Sequence, residues 1–121
     1  MPASFASTSL TVDKLVVDAS KLITRQITLI SGQNLTRGAV LGKITASSKY
    51  NLSLSAAGDG SQTPDLILAE DTDASGGDKV TVAYEAGSFN TNALTVGASH
   101  TLASIQEGLR AKGIHFHTAQ A

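Results

Sequence analysis

Apolar residues recur at every second position along much of the chain, which is the period of β-strands. Residues 10–17, LTVDKLVV, put Leu10 and Val12 on one face and read as a short strand. Residues 22–30, LITRQITLI, are rich in β-branched side chains. Ile23, Arg25, Ile27 and Leu29 share one face, and Leu22, Thr24, Gln26, Thr28 and Ile30 share the other. Neither face is purely apolar, so the pattern predicts a half-buried or interface strand. After the turn Ser31-Gly32-Gln33-Asn34, residues 35–45 carry Gly38 and Gly42 inside a strand-like run. Glycine in such a run marks a bulge or a close backbone approach, which suits a small, tightly curled barrel. Residues 49–56 alternate with Tyr50, Leu52, Leu54 and Ala56 facing one way.

The second half follows the same logic. A polar loop at 57–64 precedes a buried strand at 65–69, and residues 70–78 form an acidic, glycine-rich loop. Residues 79–84 read as a strand with Val80 and Val82 inward. Glu85-Ala86-Gly87 turns the chain, and Ser88-Phe89-Asn90 starts a short edge. One helix is predicted near the end. Ser99 or Thr101 caps it, Leu102, Ile105 and Leu109 line one face, and Arg110 and Lys112 favour its C-terminal dipole. Gly113 supplies a left-handed cap and Ile114 folds back, with 114–117 as a final strand. The expected fold class is mainly β with one short C-terminal helix (α+β), a small curled β-barrel-like domain over 21–121. Residues 1–20 are an extended N-terminal arm. Its first nine residues are small and polar apart from Phe5 and read as flexible.

A length of 121 residues is one domain. Leu, Ile, Val and Phe total 30, enough for a modest core. Charged residues are 16%, below the roughly 25% usual for soluble domains, while Ser and Thr total 27. A surface of small, weakly charged residues suits close contact with other protein, and oligomerisation would stabilise such a domain. The absence of cysteine excludes a disulfide scaffold, a thiolate metal site and a cysteine nucleophile. No apolar run approaches the roughly 20 residues of a membrane helix, and residues 1–10 lack the basic and apolar regions of a secretory signal. A net charge of −1 argues against nonspecific nucleic-acid binding. Charge is divided: residues 1–50 hold six Lys/Arg and two Asp, residues 51–100 one Lys and seven acids. Such a division fits complementary patches between like subunits, or a solvated surface.

Candidate chemistry is sparse. Asp71-x-Asp73-x-Ser75-Gly76 matches the opening of a calcium loop, but the position that needs a bidentate Glu is Val82. His115 and His117 place two imidazoles on one strand face, short of the three or four ligands zinc requires, and His100 would have to join from elsewhere. Gly58-Asp59-Gly60-Ser61 lacks the Gly-Lys-Ser/Thr ending of a phosphate loop. Ser99 and His100 are sequence neighbours, which does not make a triad. An enzyme would have to draw on Asp59, Asp65, Glu70, Asp71 and His100, and no spacing among them demands catalysis.

Residues 31–45, SGQNLTRGAVLGKIT, resemble the signature of the lambda-type bacteriophage head decoration family. The order of the later elements is also similar. These are the 57–64 loop, Leu66-Ile67-Leu68, the acidic 71–78 loop, the 80–84 strand, Gly87-Ser88-Phe89-Asn90 and the helix and tail at 105–114, so the resemblance covers roughly residues 20–116. It implies a non-enzymatic, cofactor-free protein on the outer surface of the virion head, made in the host cytoplasm. Such proteins form homotrimers at local three-fold positions of the expanded head. They cement neighbouring major capsid proteins against the pressure of packaged DNA, without contacting nucleic acid or membrane directly. The resemblance also implies an arm that adds a strand to a capsid sheet, with Phe5, Leu10 and Val12 as its apolar anchors here. Arg25, Arg37, Lys43 and Lys49 are the expected capsid or subunit contacts. The alternative is a small β-barrel binding module or subdomain, for carbohydrate or as a fibre accessory.

Overall fold

The computed structural model describes residues 15–117. In chain order the strands are β1 (Val16–Leu29), β2 (Asn34–Leu35), β3 (Val40–Lys43), β4 (Tyr50–Leu52), β5 (Pro64–Leu68), β6 (Thr72–Asp73), β7 (Lys79–Asn90) and β8 (Ile114–His117). Helix α1 (Leu102–Ala111) precedes β8. The sheet order β1-β4-β3-β5-β7 closes on itself because β7 also pairs with β1, which makes a five-stranded barrel. β8 adds to β7 in parallel, and β2 and β6 form a separate two-stranded ribbon. The fold class is thus the one the sequence predicts.

Three strands are buried on both faces, and period-two alternation sends their side chains to two different cores. Leu41, Leu66, Leu68 and Ala83 join Ile27, Leu29 and Tyr50 in one cluster inside the barrel. Val40, Ile67 and Tyr84 join Phe89, Ile105, Leu109 and Ile114 in the other, between the outer wall and α1. Double-sided burial explains why Leu66-Ile67-Leu68 is an unbroken apolar run. α1 is capped by Thr101, whose hydroxyl accepts from the Ser104 amide (3.1 Å) while Ser104 Oγ accepts from the Thr101 amide (2.9 Å). At its far end Gly113 takes φ +97°, so Ile114 turns back into the outer core.

Gly38 and Gly42 behave as the sequence predicts. Gly38 sits at φ +102° with no room for a Cβ beside the Ala93 carbonyl. Gly42 lies against the Ser61 main chain, where a Cβ would collide with the carbonyl.

Other readings are corrected. The strands expected at 10–17 and 22–30 are, from Val16 onward, one strand, while residues 10–14 lie outside the described residues. Register shifts around Asp18 and Ile23 mark bulges that let a 14-residue strand bend without ending. β1 therefore begins inside the stretch read as an arm, and Val16 is buried. The alternation at 49–56 stops at Leu52: Ser53 is buried and Leu54 exposed, because the Ser53 amide donates to the Val40 carbonyl and its hydroxyl to the Ser61 carbonyl. Val80 faces outward and Val82 is only half-buried, because Ile27 inside the barrel fixes Thr81 as its inward partner and Thr28 pairs with Val80. Glu85-Ala86-Gly87 does not turn the chain. β7 runs through it with Gly87 at φ +148° and delivers Phe89 to the core. The 70–78 loop contains β6.

Two glycine substitutions test this reading. Gly42→Ala should lose about 2 kcal/mol or more by forcing β3 off the Ser61 segment, a fall of about 10 °C in Tm. Gly108→Ala, on an open face of α1, should gain about 0.5–1 kcal/mol. Thermal unfolding of both variants checks the pair.

Candidate functional site

The four cations expected at contacts divide into two kinds. Arg37 is built into the fold: its Nε donates to the Ala69 carbonyl (3.1 Å), its NH2 to the Tyr84 hydroxyl (3.0 Å), and its guanidinium lies 5.9 Å over the Tyr84 ring. Its backbone amide donates to Asp71 Oδ1 (2.8 Å). Lys49 is paired with Asp78 at 2.5 Å, and the other Asp78 oxygen accepts from the Ser31 amide (2.8 Å). That clasp ties the β1–β2 turn and the β3–β4 connection to the start of β7. Arg25 on β1 and Lys43 on β3 are exposed, and both line one depression of about 250 Å³ with Thr28, Tyr50 and Val80. Lys43 also lines a second depression of about 350 Å³ with Asp65 and Lys112, which pair at 3.1 Å. Phe5, Leu10 and Val12 lie outside the described residues.

The basic and acidic halves of the sequence therefore meet partly within one chain, through Lys49 and Asp78. Tyr50, buried in the barrel, donates to Asp65 Oδ2 (3.2 Å); burial first, and then the Asp65 charge, push its hydroxyl above the usual phenol range.

The carboxylates of the calcium-like loop hold the loop itself. Asp73 Oδ1 accepts from both the amide (3.0 Å) and the hydroxyl (2.5 Å) of Ser75, and these bonds lower its pKa. Asp59 holds Ser61 in the same way. Among the described residues no three His, Asp or Glu side chains converge as metal ligands. His115 is exposed.

One contact was illegible in the sequence. His100 Nε2 lies 3.1 Å from Ser53 Oγ, across 47 residues. Ser53 donates its only hydroxyl proton to the Ser61 carbonyl (2.7 Å), so its oxygen accepts a hydrogen bond from the His100 Nε2–H. A general base would need the reverse polarity. This pair satisfies a buried hydroxyl at the end of β4.

Two predictions follow from these anchors. Asp78 is held below its ordinary 3.8 by the Lys49 hydrogen bond and then the Ser31 amide. A depressed carboxylate stabilises the fold above its unfolded value, and this contribution is lost as pH falls below about 3.8 through the folded value. Asp78→Asn should therefore lower the denaturation midpoint at pH 7 and flatten the acid limb below pH 4. Arg37→Ala leaves the Ala69 carbonyl and Tyr84 hydroxyl without their charged donor and should lose about 1.5–3 kcal/mol. Arg110→Ala, which breaks only an exposed pair with Glu107 on α1, should stay within about 0.5 kcal/mol. Urea unfolding compares them.

Comparison with curated proteins finds no match. In comparison with protein families, the model described as bacteriophage lambda head decoration protein D matches residues 5–116. That family supports a structural phage head decoration protein associated with the capsid. With nearly its entire length matched, the chain belongs to the bacteriophage lambda head decoration protein D family.

Proposed function

We propose that the protein is a homotrimeric cement that binds major capsid proteins at the three-fold positions of an expanded phage head. The family match over residues 5–116 carries the reading. Packaged DNA pushes outward, and the shell fails where neighbouring capsid subunits separate. A molecule that bridges them only in the expanded lattice stabilises that lattice by its own binding free energy. The barrel suits the task mechanically, since β3, β5 and β7 are packed on both faces.

The arm, read from the sequence as residues 1–20 and shortened by the start of β1 at Val16, makes much of the attachment. An extended segment adds to an exposed sheet edge through its backbone, and its apolar anchors fill pockets. Burial of Phe5 contributes about 1.5–3 kcal/mol per subunit. A trimer presents three linked arms, which raises avidity by about 10²–10⁴ over one. Leu10 and Val12 extend the same apolar edge.

Sedimentation at micromolar concentration should give three times the chain mass, and a stable monomer would overturn the trimer. Deleting residues 2–12 should leave the fold and the trimer intact but strongly reduce occupancy on purified expanded heads. Phe5→Ala should reduce it in part. Equal occupancy of wild type and deletion would move the capsid contact to the globular body.

A further inference from the structure

Strand β1 behaves unlike a barrel strand between Ile23 and Gln26. All four residues are exposed, although a strand on a barrel wall hides every second side chain. One edge of this stretch is covered by β7, through Ile23↔Ala86, Thr24↔Tyr84, Arg25↔Ala83 and Gln26↔Val82. On the other side β1 meets β4 at the single register pair Leu29↔Tyr50. The barrel is therefore open beside Arg25, and the 250 Å³ depression lies there, lined by Arg25, Lys43, Thr28, Tyr50 and Val80. Val80 is 65% exposed and Ile23 51%, the two most exposed large apolar side chains among the described residues.

Arg25 and Lys43 have no ion pair among the described residues, whereas Lys49, Arg110 and Lys112 each have one. Apolar surface bordered by unpaired cations is the composition of a protein interface whose partner brings carboxylates. The chain itself carries the complement. Glu70 and Asp73, on either side of the start of β6, are exposed and have no ion pair among the described residues. Asp73 accepts from Ser75 and Glu70 accepts a 3.2 Å bond from the Thr81 hydroxyl, so hydrogen bonds orient both carboxylates.

We infer that the β5–β6 segment of one copy, with Glu70 and Asp73, docks on the Arg25–Lys43 depression of the next copy. This rests on the trimer reading and deepens it. The two patches lie on different elements, so the contact is head-to-tail, and such a contact closes into a ring when its rotation allows. The open side of β1 and Val80 are then covered by the neighbouring subunit.

Charge reversal on the full chain tests this. Arg25→Glu with Lys43→Glu should weaken association at least about tenfold by sedimentation, and so should Glu70→Lys with Asp73→Lys. All four changes in one chain restore complementarity at every contact and should recover the wild-type mass. Near-ultraviolet circular dichroism confirms that each variant is folded. Wild-type mass in the Arg25→Glu, Lys43→Glu variant overturns the contact and leaves the trimer reading standing. A folded fourfold variant that remains dissociated overturns the pairing of these two patches. A monomeric wild type overturns the trimer reading and the contact together.

Discussion

The antiparallel pairing of β1 with β7 is the constraint on which the rest of the molecule depends. It joins Val16 to Phe89 at one end and Leu29 to Lys79 at the other, and it closes the barrel. Every pair in it links the two halves of the sequence, so the loop-closure entropy must be overcome before the contacts stabilise anything. The register it sets decides which side chains enter the barrel. Ile27 inside requires Thr81 inside, and Val80 must then face out. Nothing local to residues 79–84 could impose that choice, since Val80 and Val82 alternate as well as any buried pair.

The architecture was legible where local chemistry decides it. α1 has its cap, its apolar stripe at Ile105 and Leu109, and its closing glycine in sequence, and all three act in the structure. The Gly38 and Gly42 approaches were legible because only a missing Cβ permits them. What was illegible depends on distant partners. Strand β7 continues through Gly87 because β1 on one edge and β8 on the other pair with it there. Ser53 displaces Leu54 from the interior because Val40 and Ser61 satisfy its polar groups. In each case a tertiary hydrogen bond outweighs a local pattern.

The candidate contacts divide on the same principle. Composition marks Arg25, Arg37, Lys43 and Lys49 as equivalent cations in a basic half. The fold makes Arg37 a tether between Ala69 and Tyr84, and Lys49 a clasp on Asp78. Sequence spacing carries no sign of this, because the partners lie 29 to 47 residues away. Of these four, Arg25 and Lys43 have no ion pair among the described residues, and both line the depression beside the exposed stretch of β1.

A head decoration protein of the proposed cementing kind meets two opposed requirements. It must be stiff enough to transmit load, and it must leave surface available for neighbours. Double-sided burial in β3, β5 and β7 supplies the stiffness with few residues, because each strand serves two cores at once. The same economy leaves little apolar material for the far side of the barrel, where β1 is exposed on both faces from Ile23 to Gln26. A long exposed strand is an aggregation hazard unless charge or a specific partner occupies it. Arg25 sets a charge on that stretch in the free subunit, and in the inferred contact the same charge selects the partner. In the inferred contact between copies the site of weakest burial is also the site of recognition, because both arise where the two-core packing runs out of side chains.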